Sequence, residues 1–390
     1  MKIKKLLAAV TALVLIGGAY PATGKSDGSP IVFAAETETA AKMSQSFTAD
    51  DITYSVYSDY AVVAEVSQDA GTEIVIADEI DGKPVTCFEN GAFDDVRSTV
   101  KSLKLGKNIK TVNDALLYEC SELTKVECGE SLEGIGCAAF AYCEKLEEIS
   151  FNEGLTVISN CAFYNCTSLV SLKFPDSLTE IKVSAFEMCT GIKEVIFGKN
   201  LERIEAGAFC DSDGITEVDL GENLTYLGSD AFSGENIKCL VIPEGVTSLT
   251  DQCPLYFKYP MAYRDCAIKI MNPECKISHF IDSKDCVIVS ADDSVLREYA
   301  ESLNERAGIN KIRYCSFEDY EKGDYAKMPS DGAEIASLYG MTFEENETGL
   351  TLTDIAAPSL DNTVVIIPDE VDGVPVTVIG SGTIKYKSNL

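Results

Sequence analysis

The sequence predicts a repeat solenoid, a mainly β fold in which short parallel strands stack and terminal caps, one of them carrying a helix, close the ends. The first observation is a recurring Ala-Phe pair, spaced once by 24 residues and then five times by 23. The second is a set of apolar columns that keep the same phase from Phe93 to Leu249. The third is an apolar content of 46%, which allows a sizeable core and argues against wholesale disorder. The phenylalanine column consists of Phe93, Phe140, Phe163, Phe186, Phe209 and Phe232, with Leu117 in the one remaining place.

The stacked arrangement follows from how little one repeat can bury by itself. Each unit supplies a short L-x-x-I-x-F strand and a tight return, so its apolar face is covered only when neighbouring units stack with parallel strands. The alanine before each phenylalanine fits a crowded corner, where a small residue lets the backbone turn while the ring fills the interior. The remaining strand positions are expected to face solvent in two columns. These columns are Ser102, Lys125, Glu148, Ser171, Glu194 and Glu217, and Lys104, Glu127, Ser150, Lys173, Ile196 and Asp219.

Residues 1–34 are predicted to be a signal peptide. Lys2, Lys4 and Lys5 precede an eleven-residue apolar run at 6–16. That run is shorter than the roughly 20 residues that span a bilayer, and it suits an export signal. Cleavage after residue 19 and cleavage after residue 34 are both credible, and a retained membrane anchor is the alternative. A linker at 35–51 and an N-terminal cap of strands at 52–92 are expected to follow.

The repeat unit at 161–181, CAFYNCTSLVSLKFPDSLTEI, resembles the leucine-rich repeat of BspA-like surface proteins, whose pattern is A-F-x-x-C-x-x-L-x-x-I-x-F-P-x-x-L-x-x-I. Residues 72–86 are similar to the strand that opens that family's repeat domain, and residues 286–317 are similar to its closing segment. The resemblance covers 52–317 and departs at Leu117, at Cys128 and over 250–285. It implies a leucine-rich repeat solenoid at 93–250, followed by a C-terminal cap at 251–317.

Within the C-terminal cap the sequence predicts a helix at 293–307. Asp293 or Ser294 can cap its start, and Gly308 can end it. An amphipathic helix here can cover the open end of the solenoid. Residues 318–346 are polar and acidic and are predicted to form a linker. The apolar face of the helix consists of Leu296, Tyr299, Ala300, Leu303 and Ala307.

Residues 347–390 are predicted to start a second repeat domain that is incomplete. IVIADEIDGKPVT at 74–86 aligns with VIIPDEVDGVPVT at 365–377 with an offset of 291, and eight of thirteen positions are identical. The Asp-Gly pairs at 81–82 and 372–373 predict the same turn. Thr383-Ile384 then stands where an Ala-Phe pair is expected. A degenerate copy, a truncated gene and an edge that pairs elsewhere would each fit this pattern.

Composition and motifs argue against most enzyme classes. A net charge of −31 disfavours nucleic acid, and a single histidine, His279, excludes a multi-histidine metal site. Because phosphate-binding, dinucleotide-binding, G-x-S-x-G and C-x-x-C motifs are absent, we predict no catalytic residue, cofactor or metal. Glu194 and Glu217 have the spacing of retaining glycosidase carboxylates, but any adjacent rungs have it. Asp211-x-Asp213 starts like a calcium loop without the later ligands.

The cysteines divide into a regular column and an irregular set. Fifteen cysteines cannot all pair within one chain. Cys120, Cys143, Cys166 and Cys189 recur at 23 residues. Neighbouring strands lie about 4.8 Å apart with parallel side chains, whereas a disulfide needs converging Cβ atoms about 3.8 Å apart. The column is therefore interpreted as buried free thiols that fill space. Disulfides remain open for the irregular set, Cys253, Cys266, Cys275 and Cys286.

The resemblance implies adhesion, because BspA-like proteins bind host matrix proteins and epithelial surfaces or mediate contact between bacteria. We expect a secreted or cell-surface, non-enzymatic protein that binds proteins or glycans on host or bacterial surfaces. Neither nucleic-acid binding nor membrane insertion after signal cleavage is expected, and no C-terminal anchor is visible. The alternatives are a structural extracellular spacer or matrix protein without a specific ligand and an enzyme that acts on glycans. The expected ligand-binding residues on the strand face are Lys125, Glu148, Glu194, Glu217 and Asp219.

Overall fold

A computed structural model describes residues 43–234, 237–249, 266–277, 286–291, 294–297, 313–321, 341–346, 348–355, 370–371 and 374–379. Over these residues the predicted mainly β solenoid is confirmed, with parallel strands in two stacked columns and little helix. The predicted signal peptide, Cys253 and His279 lie outside the described residues.

A five-stranded sheet precedes the repeats and is called the N-terminal cap. Its β2–β3 and β5–β6 pairs are antiparallel, and β3 pairs with β6 in parallel. Asp81 and Gly82 both have positive φ, 51° and 69°, which is the predicted tight turn between β5 and β6. The first strand lies inside the predicted linker at 35–51, which is a difference from the prediction. The strands, in spatial order, are β1 (Gln45–Ala49), β2 (Ile52–Val56), β3 (Ala61–Val66), β6 (Lys83–Phe88) and β5 (Glu79–Ile80).

One column of parallel strands forms what is called the front sheet. The central residue of each strand points into the core and the outer two face solvent, as predicted; Leu103 and Val126, for example, are buried. Hydrogen bonds join the strands in three groups, which begin at β4, β13 and β17. The strands are β4 (Glu73–Val75), β7 (Ser102–Lys104), β9 (Lys125–Glu127), β11 (Glu148–Ser150), β13 (Ser171–Lys173), β15 (Glu194–Ile196), β17 (Glu217–Asp219) and β19 (Cys239–Ile242).

A second column of two-residue strands forms the back sheet. From Thr111–Val112 to Tyr226–Leu227 each residue pairs in parallel with the residue 23 positions later, so Ile135 pairs with Ile158 and Ile158 with Ile181, and a separate pair joins Ser248–Leu249 to Lys276–Ile277. The constant register shows that the 23-residue period is the length of one complete turn. The strands are β8 (Thr111–Val112), β10 (Gly134–Ile135), β12 (Val157–Ile158), β14 (Glu180–Ile181), β16 (Arg203–Ile204), β18 (Tyr226–Leu227), β20 (Ser248–Leu249) and β22 (Lys276–Ile277).

The Ala-Phe column forms a stack of parallel rings inside the solenoid. Phe163 and Phe186 lie 4.9 Å apart between ring centroids with planes 4° apart, and Phe186 and Phe209 are 5.2 Å apart with planes 6° apart. These rings are almost completely buried. The regular spacing of a β ladder places the rings at a favourable stacking distance, so the period of the backbone sets the packing of the core.

The corner before each ring is a tight left-handed turn. Ala115, Ala138, Cys161 and Ser184 all have φ between 51° and 55°, although none is glycine. Gly207 holds the same place one repeat later with φ 64°. A left-handed residue with a Cβ costs roughly 1–2 kcal/mol. Each of these residues donates its backbone N–H to a carbonyl of the next rung, as Ala138 does to Asn160 at 2.9 Å, and this hydrogen bond holds the turn in place.

The front sheet continues past the predicted end of the solenoid at residue 250. Three further parallel strands extend it through the region predicted as a C-terminal cap, and the short helix Phe317–Glu321 follows the last of them. Of the predicted helix at 293–307, the described residues show helix at 295–297, and the Ser294 hydroxyl accepts the Leu296 N–H at 3.2 Å. The added strands are β21 (Cys266–Ile270), β23 (Cys286–Ser290) and β24 (Arg313–Ser316).

A separate four-stranded sheet follows in sequence and is called the second cap, to distinguish it from the C-terminal cap predicted at 251–317. Its first strand lies inside the predicted linker at 318–346, which therefore ends earlier than expected. The β25–β26 and β27–β28 pairs are antiparallel, and β26 pairs with β28 in parallel. The strands, in spatial order, are β25 (Met341–Asn346), β26 (Gly349–Ile355), β28 (Val374–Ile379) and β27 (Glu370–Val371).

Candidate functional site

The outward columns of the front sheet form the candidate binding surface. Three-residue strands keep the outer two side chains of each rung on the same side, so the predicted residues line up across neighbouring rungs. Two apolar side chains are also exposed on this surface, Val75 at 59% and Ile196 at 47%. The face is therefore a mixed charged and apolar surface.

At the N-terminal half of the face the charges are paired with one another. Nζ of Lys104 lies 3.5 Å from a carboxylate oxygen of Glu127, and Nζ of Lys125 lies 3.2 Å from Glu127 and 3.7 Å from Glu148. The hydrogen bond from Lys125 lowers the pKa of Glu127, and the same bond raises the pKa of Lys125. Two predicted ligand residues, Lys125 and Glu148, thus already interact with each other.

The paired charges border a shallow depression. Side chains of Glu73, Val75 and Lys104 line it, together with those of Lys125 and Glu127. Its volume is about 260 Å³, and it is open to solvent on one side. A small polar group can rest there, but the depression lacks the enclosure that would shift a carboxyl pKa for catalysis.

At the other half of the face the charges are acidic and arranged differently. Glu194, Glu217 and Asp219 are exposed, and among the described residues none of the three forms an ion pair. Asp219 accepts a hydrogen bond from the Gly221 N–H at 3.0 Å, which holds its carboxylate near the end of strand β17. These three predicted residues carry three negative charges next to Ile196, whose exposed register partner on the preceding rung, Lys173, offsets one of them.

The opposite side of the solenoid carries a cluster that sequence reasoning missed. The Arg203 guanidinium lies 4.0 Å from the Tyr226 ring centroid and 2.8 Å from a carboxylate oxygen of Glu205. Glu180 is 3.6 Å from Arg203 and 2.6 Å from Lys182. Arg203 and Tyr226 occupy the same column one repeat apart, which is the signal that could have identified the pair. Because its charges satisfy one another, this cluster stabilises the back sheet.

The regular cysteine column is buried and unpaired, as predicted, but it does more than fill space. The thiol of Cys143 donates to the carbonyl of Leu117, that of Cys166 to Phe140 and that of Cys189 to Phe163, all at 3.1–3.2 Å. Ser212 donates to Phe186 at 2.8 Å in the same place one repeat later. Burial raises the pKa of Cys189 to about 12, so its reactivity as a thiolate is suppressed.

The irregular cysteines give a mixed outcome. Cys275 is a buried free thiol, so of the two alternatives left open for this residue the structure shows the unpaired one. Cys266 and Cys286 are backbone partners on parallel strands β21 and β23. Among the described residues, no group of three His, Cys, Asp or Glu side chains is placed to hold a metal ion. Asp211 and Asp213 therefore belong to no such group. Across the same residues no helix is long and apolar enough to cross a membrane.

Stacked parallel strands with in-phase apolar columns define a leucine-rich repeat solenoid. Residues 74–190 and 133–259 match the family described as BspA type leucine rich repeat region, with six copies. The chain is therefore a BspA-like leucine-rich repeat protein. Comparison with curated protein sequences finds no match.

Solved structures with similar folds include a leucine rich cell surface protein from Faecalibacterium prausnitzii A2-165, with 16% identity, TM-score 0.45, and coverage of 63% of this chain and 76% of that one. A leucine-rich repeat protein from Bacteroides ovatus has 20% identity and TM-score 0.45, and the match covers 63% of this chain and 70% of that one. The leucine rich repeat protein of T. pallidum has 20% identity and TM-score 0.33, and the match covers 66% of this chain and 96% of that one. At these TM-scores the similarities add nothing to the assignment from the repeats.

Proposed function

We propose that this chain is a secreted or cell-surface bacterial protein that binds a macromolecule through the front sheet and catalyses no reaction. The supporting observation is the acidic group of Glu194, Glu217 and Asp219, which forms no ion pair among the described residues and lies beside exposed Ile196. A stack of rungs presents such side chains on a rigid surface, which lowers the entropy lost on binding. The partner is a protein or glycan on a host or bacterial surface, in keeping with adhesion in the family it resembles.

The charge of the face selects the chemistry of that partner. A patch with three carboxylates and a bare isoleucine favours a surface with Lys or Arg side chains around an apolar contact. The same charge disfavours nucleic acid and anionic lipid, and neither is proposed as a partner. The paired half, with Lys125 and Glu148, would contribute less because each new contact has to replace an existing ion pair.

Export by an N-terminal signal peptide belongs to the same proposal. The first rival is an extracellular spacer or matrix protein with no specific ligand, which predicts no saturable binding to matrix proteins, mucin or bacteria. The second is a glycan-acting enzyme, which predicts turnover of a polysaccharide by the purified chain.

The test is a pull-down from host matrix, mucus and bacterial-surface extracts, followed by titration of each captured component. The decisive variant carries Glu194→Lys, Glu217→Lys and Asp219→Lys. The matched control exchanges the charges of an existing pair, Lys125→Glu with Glu148→Lys. We expect the triple variant to weaken binding at least tenfold and the control to change it less than threefold. Equal effects of both variants on the affinity would indicate that the binding site lies outside the acidic half of the front sheet.

A further inference from the structure

The second cap repeats four of the five strands of the N-terminal cap, all but β1. Strands β27 and β28 begin and end 291 residues after β5 and β6. In the first hairpin, Thr53 pairs with Glu65, after which a bulge shifts the register so that Tyr54 pairs with Val63. In the second, Thr342 pairs with Asp354 and the same shift follows, with Phe343 opposite Leu352. A bulge at the same place bends the strand in the same direction, so the two hairpins share one backbone shape.

The parallel strand pair repeats with equal fidelity. In the first cap, Ala61 pairs with Val85 and then, after a shift, Val62 pairs with Cys87. In the second cap, Leu350 pairs with Val376 and then, after the same shift, Thr351 pairs with Val378. Since a slip of one residue would send every side chain to the other face, two retained irregularities mean that corresponding side chains face the same way.

The contacts of the first cap show what such a sheet is for. The carbonyl of Thr86 in β6 accepts the N–H of Lys110 at 3.0 Å, and the carbonyl of Phe88 accepts the side-chain amide of Asn113 at 2.7 Å. The ring of Phe93, from the first Ala-Phe turn, packs 5.8 Å from that of Phe88. Val85 is completely buried as a result. The cap therefore supplies both a strand edge and an apolar face to the first rung.

In the second cap the strand that corresponds to β6 is β28. Among the described residues no repeat rung pairs with it. Val376, the counterpart of Val85, is partly exposed. Val374 and Val378 on the same strand are 38% and 47% exposed. Strand β28 pairs with β26 and β27 alone in the part of the chain that the structure describes. Because β27 pairs only with residues 374 and 375, the edge of β28 at 376–379 stays unpaired among the described residues, and an open valine-rich strand edge in water is a liability that folded proteins cover.

We propose that the sheet of β25, β26, β28 and β27 is a second solenoid cap, and that residues 376–379 of β28 bind the first rung of a leucine-rich repeat that starts with an Ala-Phe turn. The rung would donate a backbone N–H to the carbonyl of Thr377, the counterpart of Thr86. All rungs run in one direction, so this edge fits the N-terminal side of a rung. The last strand of the present solenoid, β24, exposes the opposite edge and does not fit. The proposal is independent of what the front sheet binds.

The first experiment supplies the rung to the full chain. Residues 89–317 are appended after residue 379 in place of 380–390, and hydrogen exchange is measured in the appended repeats. We expect protection of the appended amides within about tenfold of their originals, because the second cap covers the first added rung. The control carries Val376→Asp, which places a charge on the proposed interface, and should lose protection in the first added rung. Equal protection with and without Val376→Asp would overturn the proposal.

A second variant keeps the proposal testable if the lengthened chain fails to fold. Residues 79–88 are replaced by the sequence of 370–379, which changes only Ile80→Val, Lys83→Val, Cys87→Val and Phe88→Ile. We expect the amide of Lys110, the donor to Thr86, to stay protected and Tm to fall by less than about 5 °C. Val85→Asp in the unaltered chain gives the reference for a broken cap. If the amide protection of Lys110 fell to the level measured in Val85→Asp while the amide of Ile181 stayed protected, the result would contradict the proposal.

Discussion

Truncation of Phe186 tests whether the ring column holds neighbouring rungs together. The ring is completely buried, stacks 4.9 Å from Phe163 and 5.2 Å from Phe209, and lies edge-on 5.6 Å from Phe174. Phe186→Ala leaves a cavity, which costs about 3–5 kcal/mol for a buried ring. Three ring pairs worth about 0.5–1.5 kcal/mol each are lost at the same site, which places the expected value in the upper part of that range.

The assay is urea unfolding followed by far-UV circular dichroism, because the chain contains no tryptophan. Native-state hydrogen exchange then locates the damage. Since each ring contacts the rungs on both sides, Leu169 and Ile215 should lose amide protection along with Ile192. Phe186→Leu is the control, with Leu117 as its natural counterpart, and should cost about 1–2 kcal/mol. A cost for Phe186→Ala below about 1 kcal/mol, or exchange confined to one rung, would refute the reasoning.

Three further predictions concern two buried thiols and the half-exposed Arg203 guanidinium. Cys166→Ala should cost about 0.5–1.5 kcal/mol in urea unfolding because it removes the thiol hydrogen bond to the Phe140 carbonyl, which keeps only the Cys143 N–H, whereas Cys166→Ser, which copies Ser212, should cost less than half as much. Burial raises the pKa of Cys189 from 9.0 to about 12, so above pH 9 the unfolded chain binds fewer protons than the folded one. Stability should then fall as pH rises toward 12, by up to about 1.4 kcal/mol per pH unit for each such thiol, and a Tm that is constant from pH 8 to 10.5 would contradict this. Arg203→Ala should cost about 1–2 kcal/mol, because it removes the contact with Tyr226 and the partner of Glu205, and Arg203→Lys should recover part of that loss.

The repeat and its core could be predicted because one physical requirement acts on every turn. Each rung must bury the same positions, so the apolar columns appear in the sequence at the period of the backbone. The prediction ended at 250 because the later strands of the front sheet are separated by unequal numbers of residues. Cys239 pairs with Ala267, Ala267 with Val287, and Val287 with Arg313, so the spacing is no longer 23 residues. The sheet register survives while the sequence period does not.

Other features depend on contacts that a period cannot show. Strand β1 was missed because its side chains are mostly exposed at the edge of the sheet, so it carries no apolar alternation. The role of the thiols as donors depends on where the carbonyl of the preceding rung points. In the candidate site, the outward positions were predicted from strand alternation. That Lys125 and Glu148 pair while Glu194 and Glu217 form no ion pair among the described residues follows from side-chain conformations.

The most direct test of the binding role is a titration of the component that the full chain captures, with the wild type and the Glu194→Lys, Glu217→Lys, Asp219→Lys variant compared at low and at physiological salt. An acidic patch that binds a basic partner predicts saturable binding that weakens with salt, and an affinity loss of at least tenfold in the variant. An unchanged affinity of the variant would contradict the acidic half of the front sheet as the binding site. The absence of any saturable binding in matrix, mucus and bacterial fractions would contradict the binding role itself and favour the spacer.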